Sequence, residues 1–289
     1  MHWIYLALGA AIFLSLASML EKKILRHEHA FEFSVAFSPL VAVLTWLTLG
    51  SRFVPPQNPV VWLIIYIASW CGVFSFYFSC KTVRHLQISS SSPILALAPG
   101  VTAVLAFVLL GEKFGIWQLA GLLVMLFGAM WIESVPSRVV IWLRKMYTSG
   151  VGLVAVLSLL AYGFGTIFDK TITTHMGVEP ISYLIIVQTM IAFNMMFLMF
   201  LSGQDMRLIK HAYKTQGPWL FLVALVIMIH RVFYIEAVAL ASISLVVAVK
   251  RSSVVWTTLS GFFFHDDHIV RKTLASVIIL IGLYILLFL

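Results

Sequence analysis

Ten apolar stretches, each about long enough to cross a bilayer as a helix, account for nearly the whole chain. A helix needs roughly 20 apolar residues to cross the ~30 Å hydrocarbon core of a membrane. The stretches cover residues 3–20, 31–50, 60–80, 87–110, 115–132, 150–168, 181–201, 218–240, 242–264 and 269–289. We therefore predict an all-α membrane protein with ten transmembrane helices.

Composition excludes the main classes of soluble protein. The chain is 62% hydrophobic and 10% charged, whereas soluble domains carry about 25% charged residues. The formal net charge of +8 does not favour a nucleic-acid partner, because no soluble basic domain is predicted to present it. The first stretch lacks a basic leading segment and is longer than the core of a signal peptide, so we expect it to be a retained span.

Cysteine spacing predicts neither a disulfide nor a metal site. Cys71 and Cys80 fall on roughly opposite faces of one predicted helix, ~13 Å apart along its axis, which is too far for a disulfide. The cluster His265, Asp266, Asp267 and His268 lies at the end of a span, where a short polar turn is needed in any case. We expect no metal and no cofactor.

An internal repeat divides the chain near its middle. Residues 20–27 end the first span and residues 168–175 end the sixth, and acid, Lys, Ile and His align between them at one constant offset. Five spans per half place the second copy upside down in the membrane, which is common among secondary transporters. We predict a first five-helix repeat over 1–133, a connecting interfacial segment over 134–149, and a second five-helix repeat over 150–289.

Several motifs resemble those of a known family. Pro93-Ile94-Leu95-Ala96-Leu97-Ala98-Pro99-Gly100 is followed by Leu110-Gly111-Glu112-Lys113 and then by Gln118-Leu119-Ala120-Gly121 and Phe127-Gly128. This pattern resembles the EamA-type repeat of the drug/metabolite transporter superfamily, clearly in the first half and more loosely in the second. The resemblance implies ten helices in two inverted halves around a central solute cavity, and it leaves the substrate open.

Membrane orientation stays open at this stage. The family usually has both termini in the cytoplasm. The basic residues near the span ends, however, fall mostly on the side opposite the termini, which favours termini outside by the positive-inside rule.

Two adjacent cations lie in the middle of the ninth span. A charge near the bilayer centre costs at least ~2.5 kcal/mol, so Lys250 and Arg251 require a water-filled cavity, an anion or an acidic partner. Arg offers a bidentate fork and Lys a point charge to a phosphate or carboxylate. The Lys-Arg dipeptide also resembles the phosphate-binding pair of the triose-phosphate and nucleotide-sugar branch of the superfamily.

The eighth span adds polar residues at a similar depth. His230, Arg231 and Tyr234 fall within an arc of ~100° on a helix, and Arg231 lies as far from the turn between the two spans as Lys250 does. We predict that these three side chains contribute to the same substrate site. Glu236 lies away from that arc.

A structural alternative assigns these cations to helix locking. In that interpretation Lys250 or Arg251 forms an ion pair with an intramembrane acid such as Glu236 or Asp169, and either acid is also a candidate for proton coupling. Asp169-Lys170 and Glu21-Lys22 recur in both halves, and we interpret them mainly as structural pairs at helix ends. Lys81 and Arg84 end the third span, where they either flank the mouth of a cavity or anchor the helix at the lipid headgroups.

These observations predict a secondary transporter of a small phosphorylated or carboxylated anion that works by alternating access. A proton or a counter-anion is the expected coupling partner, and the protein is expected as a monomer or homodimer in the bacterial inner membrane. A flippase for a lipid-linked phosphate and a non-transporting membrane scaffold or sensor are the alternatives. No enzyme signature is present, and a membrane-embedded transferase fits poorly because no suitable acid/base pair stands out.

Overall fold

The computed structural model describes residues 2–25, 28–85, 97–133, 150–253, 255–256 and 269–288. Ten helices run through these residues, and the π-helical turn Thr171–His175 continues the sixth. They are α1 His2–Leu25, α2 Ala30–Leu49, α3 Pro59–His85, α4 Ala98–Leu110, α5 Ile116–Glu133, α6 Gly150–Lys170, α7 Pro180–Leu201, α8 Arg207–Leu240, α9 Ile243–Arg251 and α10 Ile269–Phe288. The prediction of ten helices in an all-α protein is confirmed.

Length and apolarity suit most of these helices to a bilayer. Six of them are long and apolar enough to span a membrane, and α4, α5 and α10 contain shorter apolar helices. The nine residues of α9 and the thirteen of α4 lie within the predicted spans 242–264 and 87–110, and other parts of these two spans lie outside the described residues. Large apolar side chains such as Leu47, Ile116 and Phe200 are exposed on the outside of the bundle, where lipid replaces water as the solvent.

The helix contacts relate the two halves of the chain. α1 packs along α8, and α6, at the same place in the second half, packs along α3. α2 contacts α7, α4 contacts α9, and α5 contacts α10, so each of these pairs joins equivalent helices. Such pairing is what two equivalent five-helix halves produce. The repeat boundaries stay a prediction, since the connecting segment 134–149 lies outside the described residues.

The contact between α5 and α10 depends on glycines that face each other. A Cβ atom on Gly282 would lie 2.7 Å from the backbone nitrogen of Met125 and 2.8 Å from the carbonyl oxygen of Gly121. A Cβ on Gly121 would lie 2.7 Å from the carbonyl oxygen of Gly282. The backbones therefore touch directly, and only glycine fits at either position.

The turn between α8 and α9 is held by two charged side chains from elsewhere in the chain. The Glu112 carboxylate accepts hydrogen bonds from the backbone nitrogen of Ile243 at 2.8 Å and from the hydroxyls of Ser242 and Ser244, each at 2.7 Å. Lys170 donates to the carbonyl oxygens of Val238 at 2.9 Å and Ala241 at 2.8 Å. An anion at the start of α9 and a cation at the end of α8 each complement a helix dipole.

Lys170 and Asp169 consequently do not form a pair with each other. Lys170 binds the α8–α9 turn, while the Asp169 carboxylate points into the bundle toward Tyr183. Adjacent residues on a helix project about 100° apart, so each serves a different neighbour. In the second half of the chain, the two residues of the repeated acid-Lys motif therefore make two separate contacts.

We expect the substitution Glu112→Gln to lower the stability of the folded protein by about 1–2 kcal/mol. The amide keeps the size of the side chain but removes the negative charge at the start of α9 and one of its accepting oxygens. Thermal unfolding in detergent, followed by tryptophan fluorescence, measures this loss. Lys113→Gln is the matched control, since Lys113 is the exposed neighbour. Equal melting temperatures for the two variants would show that Glu112 does not hold the turn.

Candidate functional site

Lys250 lies buried near the end of α9, among tyrosines from two other helices. It is 5% exposed, and its Nζ donates a hydrogen bond to the Tyr162 hydroxyl of α6 at 2.5 Å. The same Nζ lies 4.0 Å from the ring centroid of Tyr234 and 4.9 Å from that of Tyr162. These ring faces attract a cation, so the ammonium is positioned by neutral groups.

Asp169 supplies the carboxylate of this region. It is buried in the last turn of α6, just before the π-helical turn, a feature that is frequent at functional sites. The Tyr183 hydroxyl of α7 donates a hydrogen bond to its Oδ1 at 2.5 Å. The Tyr234 hydroxyl makes no hydrogen bond of ordinary geometry, but it lies near enough to Asp169 to interact with it electrostatically.

Two arginines complete the arrangement. Arg231 of α8 interacts electrostatically with Asp169, Lys250 and Tyr162, and Arg251 of α9 interacts with Tyr162 and Lys250. Both arginines are partly exposed. We call Lys250, Arg231, Arg251, Asp169, Tyr162 and Tyr234 together the Lys250 cluster.

Among the described residues, no ion pair neutralises the cations of the Lys250 cluster. Within the described parts of the chain, Arg207 with Asp205 on the surface is the one salt bridge, at 3.1 Å. The structural alternative predicted that Lys250 or Arg251 forms an ion pair with Asp169 or Glu236. The structure shows no ion pair between these four residues. Counting Lys250, Arg231 and Arg251 against Asp169, the cluster holds an excess of two positive charges.

The histidine of the predicted site lies between helices. His230 is buried, its Nδ1 lies 2.8 Å from the carbonyl oxygen of Ala10 in α1, and its ring stacks on Tyr234 at a centroid distance of 6.1 Å. In this arrangement His230 joins α8 to α1 and supports the Tyr234 ring. Its assignment to substrate binding stays a prediction.

The remaining predicted residues lie away from the Lys250 cluster. Glu236 is partly exposed, and its charged neighbours are Glu179 and Arg52. In α3, Cys71 interacts electrostatically with Asp169. Lys81 lies ten positions after Cys71, a distance of about 15 Å along the helix. Arg84 ends α3 close to Lys81, and its side chain lies outside the described residues. Their assignments to coupling and to a cavity mouth stay predictions.

Sequence reasoning missed Tyr162 and Tyr183, and it gave Glu112 no role. One signal was available for Tyr162, which precedes Asp169 by seven positions and so lies two turns away on the same face of α6. Nothing local marks Tyr183 or Glu112, since each meets its partner through packing of distant helices. The described residues include no group of three or more His, Cys, Asp or Glu side chains placed to hold a metal.

Comparisons with known proteins identify the first half of the chain. The model of the EamA-like transporter family matches residues 1–134. The resemblance to this family that the sequence motifs indicated is thereby confirmed for the first half of the chain. Together with the six apolar helices, it indicates an integral membrane protein.

The fold is shared over the full length. A solved structure titled only "Crystal structure of protein" superposes on this chain with a TM-score of 0.72 at 15% identity, covering 98% of this chain and 96% of that one. At this identity the likeness concerns the fold alone. A search of curated proteins returned no match.

Proposed function

We propose that this protein is a secondary active transporter of a small anionic metabolite, phosphorylated or carboxylated, in the bacterial inner membrane. The match of its first half to the model of a transporter family supports a role in moving small solutes. The observation that carries the choice of an anion is the buried Lys250, which is held by tyrosines and lacks a carboxylate at ion-pair distance within the described chain.

Electrostatics favours an anion with more than one negative charge. A buried cation that lacks a counter-charge is costly, and a bound anion offsets that cost. The excess of positive charge in the Lys250 cluster favours a multiply charged anion such as a phosphate monoester or a dicarboxylate. Arg231 and Arg251 are partly exposed and supply the geometry that binds such oxygens in pairs.

The arrangement of the helices supports a mechanism of alternating access. The Lys250 cluster is built from α6, α8 and α9, and α4 of the first half contacts α9. Rocking of one half against the other would open the cluster to each side in turn. A scaffold or sensor would instead require close acidic partners for its buried cations.

Exchange in proteoliposomes tests the proposed function. We expect the purified wild type to exchange at least one of inorganic phosphate, glycerol 3-phosphate and succinate across the membrane, and to leave glucose and tetraethylammonium unmoved. Protein-free liposomes are the control. Transport of the neutral or cationic solute in place of every anion would overturn the proposal, and absence of all transport by folded protein would favour the scaffold.

A further inference from the structure

Asp169 is a buried carboxylate surrounded by the groups that the proposed anion would bind. From α8 it faces Arg231 and the Tyr234 hydroxyl, from α7 the Tyr183 hydroxyl, from α9 Lys250, and from α3 Cys71. On its own helix, Tyr162 also interacts electrostatically with it. It is 8% exposed, so its charge is not dispersed by water.

This placement couples the charge of Asp169 to the occupancy of the site. When the site is empty, Arg231 and Lys250 stabilise the ionised carboxylate. A bound anion directs the same two cations toward itself and adds negative charge nearby, so it opposes the ionised form of Asp169. Thermodynamic linkage makes the effect reciprocal: anion binding favours proton binding, and proton binding favours anion binding.

The Tyr234 side chain lies close to both the Lys250 ammonium group and the Asp169 carboxylate. Its ring lies 4.0 Å from the Lys250 Nζ, its hydroxyl lies near Asp169, and that hydroxyl has no hydrogen bond of ordinary geometry among the described residues. Tyr183 holds one carboxylate oxygen by a hydrogen bond at 2.5 Å. Because Tyr183 occupies Oδ1, we expect the proton to bind on the second oxygen, Oδ2.

We infer that Asp169 is the proton-coupling residue of this transporter, taking up one proton as the anion binds between Lys250 and Arg231. The proton comes from water, forms an O–H bond on the Asp169 carboxyl, and returns to water when the anion leaves. The protein would thus carry anion and proton together. This inference rests on the proposed function and extends it from the substrate to the driving ion.

The substitution Asp169→Asn tests the inference, because it keeps the shape and removes the proton. Two assays are run in proteoliposomes with radiolabelled glycerol 3-phosphate or succinate, whichever the wild type exchanges. The first measures exchange at equal pH on both sides. The second measures net accumulation driven by a proton gradient, with both compartments alkaline enough to keep the probe fully ionised.

We expect the proton gradient to drive accumulation of the probe by the wild type. Asp169→Asn should lose this response while exchange at equal pH stays detectable. Asp169→Glu is expected to restore part of the response. Asp205→Asn is the matched control, since Asp205 is an exposed aspartate on the surface, and it should behave like the wild type. Size-exclusion chromatography verifies that each variant is folded.

Any other outcome contradicts either the coupling role of Asp169 or the proposed function. If Asp169→Asn still responds to the gradient, or if wild-type exchange ignores the gradient, the coupling role is wrong and the proposed function stands. If the folded variant loses exchange as well, Asp169 belongs to the binding site and does not act as a separate coupling group. If the wild type moves none of the anions, the proposed function fails first, and the inference fails with it.

Discussion

The substitution Lys250→Met is expected to reduce anion exchange by about 100-fold or more. Methionine keeps much of the side-chain volume but removes the ammonium group that the tyrosines hold toward Arg231. Charge-assisted hydrogen bonds are each worth about 1.5–3 kcal/mol, and removing one partner of a buried charge pair costs roughly 2–5 kcal/mol. A loss of about 3 kcal/mol in binding corresponds to a factor of more than 100.

Initial exchange rates in proteoliposomes measure this effect, at equal amounts of folded protein. Lys113→Met is the matched control, because Lys113 is an exposed lysine in the turn before α5 and should leave exchange unchanged. Arg251→Ala should lower exchange in the same direction. Wild-type rates in the Lys250 variant would show that the ammonium serves packing alone and that the anion binds elsewhere.

The second large effect is on folding, and it comes from adding a single methyl group. Gly282→Ala should destabilise the protein by about 3 kcal/mol, since its Cβ would meet backbone atoms of α5 at 2.7 and 2.8 Å and overpacking typically costs 1–3 kcal/mol or more. Backbone atoms cannot move away from the added methyl group as the end of a flexible side chain can. The helices must separate, and they lose the contacts on both sides of the glycine.

Gly165→Ala provides the opposite result with the same chemistry. Gly165 lies inside α6, and a Cβ there would lie 3.6 Å from the Cβ of Cys71, an ordinary van der Waals distance, so alanine should be neutral or stabilising by up to ~1 kcal/mol. Melting temperatures of the two variants in detergent are the measurement. A Gly282→Ala variant as stable as Gly165→Ala would contradict the close contact between α5 and α10.

Ten helices and their membrane setting follow from the sequence because apolar length is a local property. Each span is read from its own residues, so distant parts of the chain do not alter the prediction. The same holds for the cost of a buried charge, which singled out Lys250, Arg251 and Arg231 without knowledge of their neighbours. The family resemblance was likewise carried by local motifs in the first half.

Only the tertiary structure decided which groups meet. Tyr162, Tyr183 and Glu112 reach their partners across helices far apart in the sequence, at 2.5, 2.5 and 2.8 Å respectively. Asp169 and Lys170 looked like one structural pair, yet helix geometry sends them to different neighbours. His230, adjacent to Arg231, is directed to α1 for the same reason. Hydrogen bonds depend on position to a fraction of an ångström, and that position is set by helix packing, which no single span encodes.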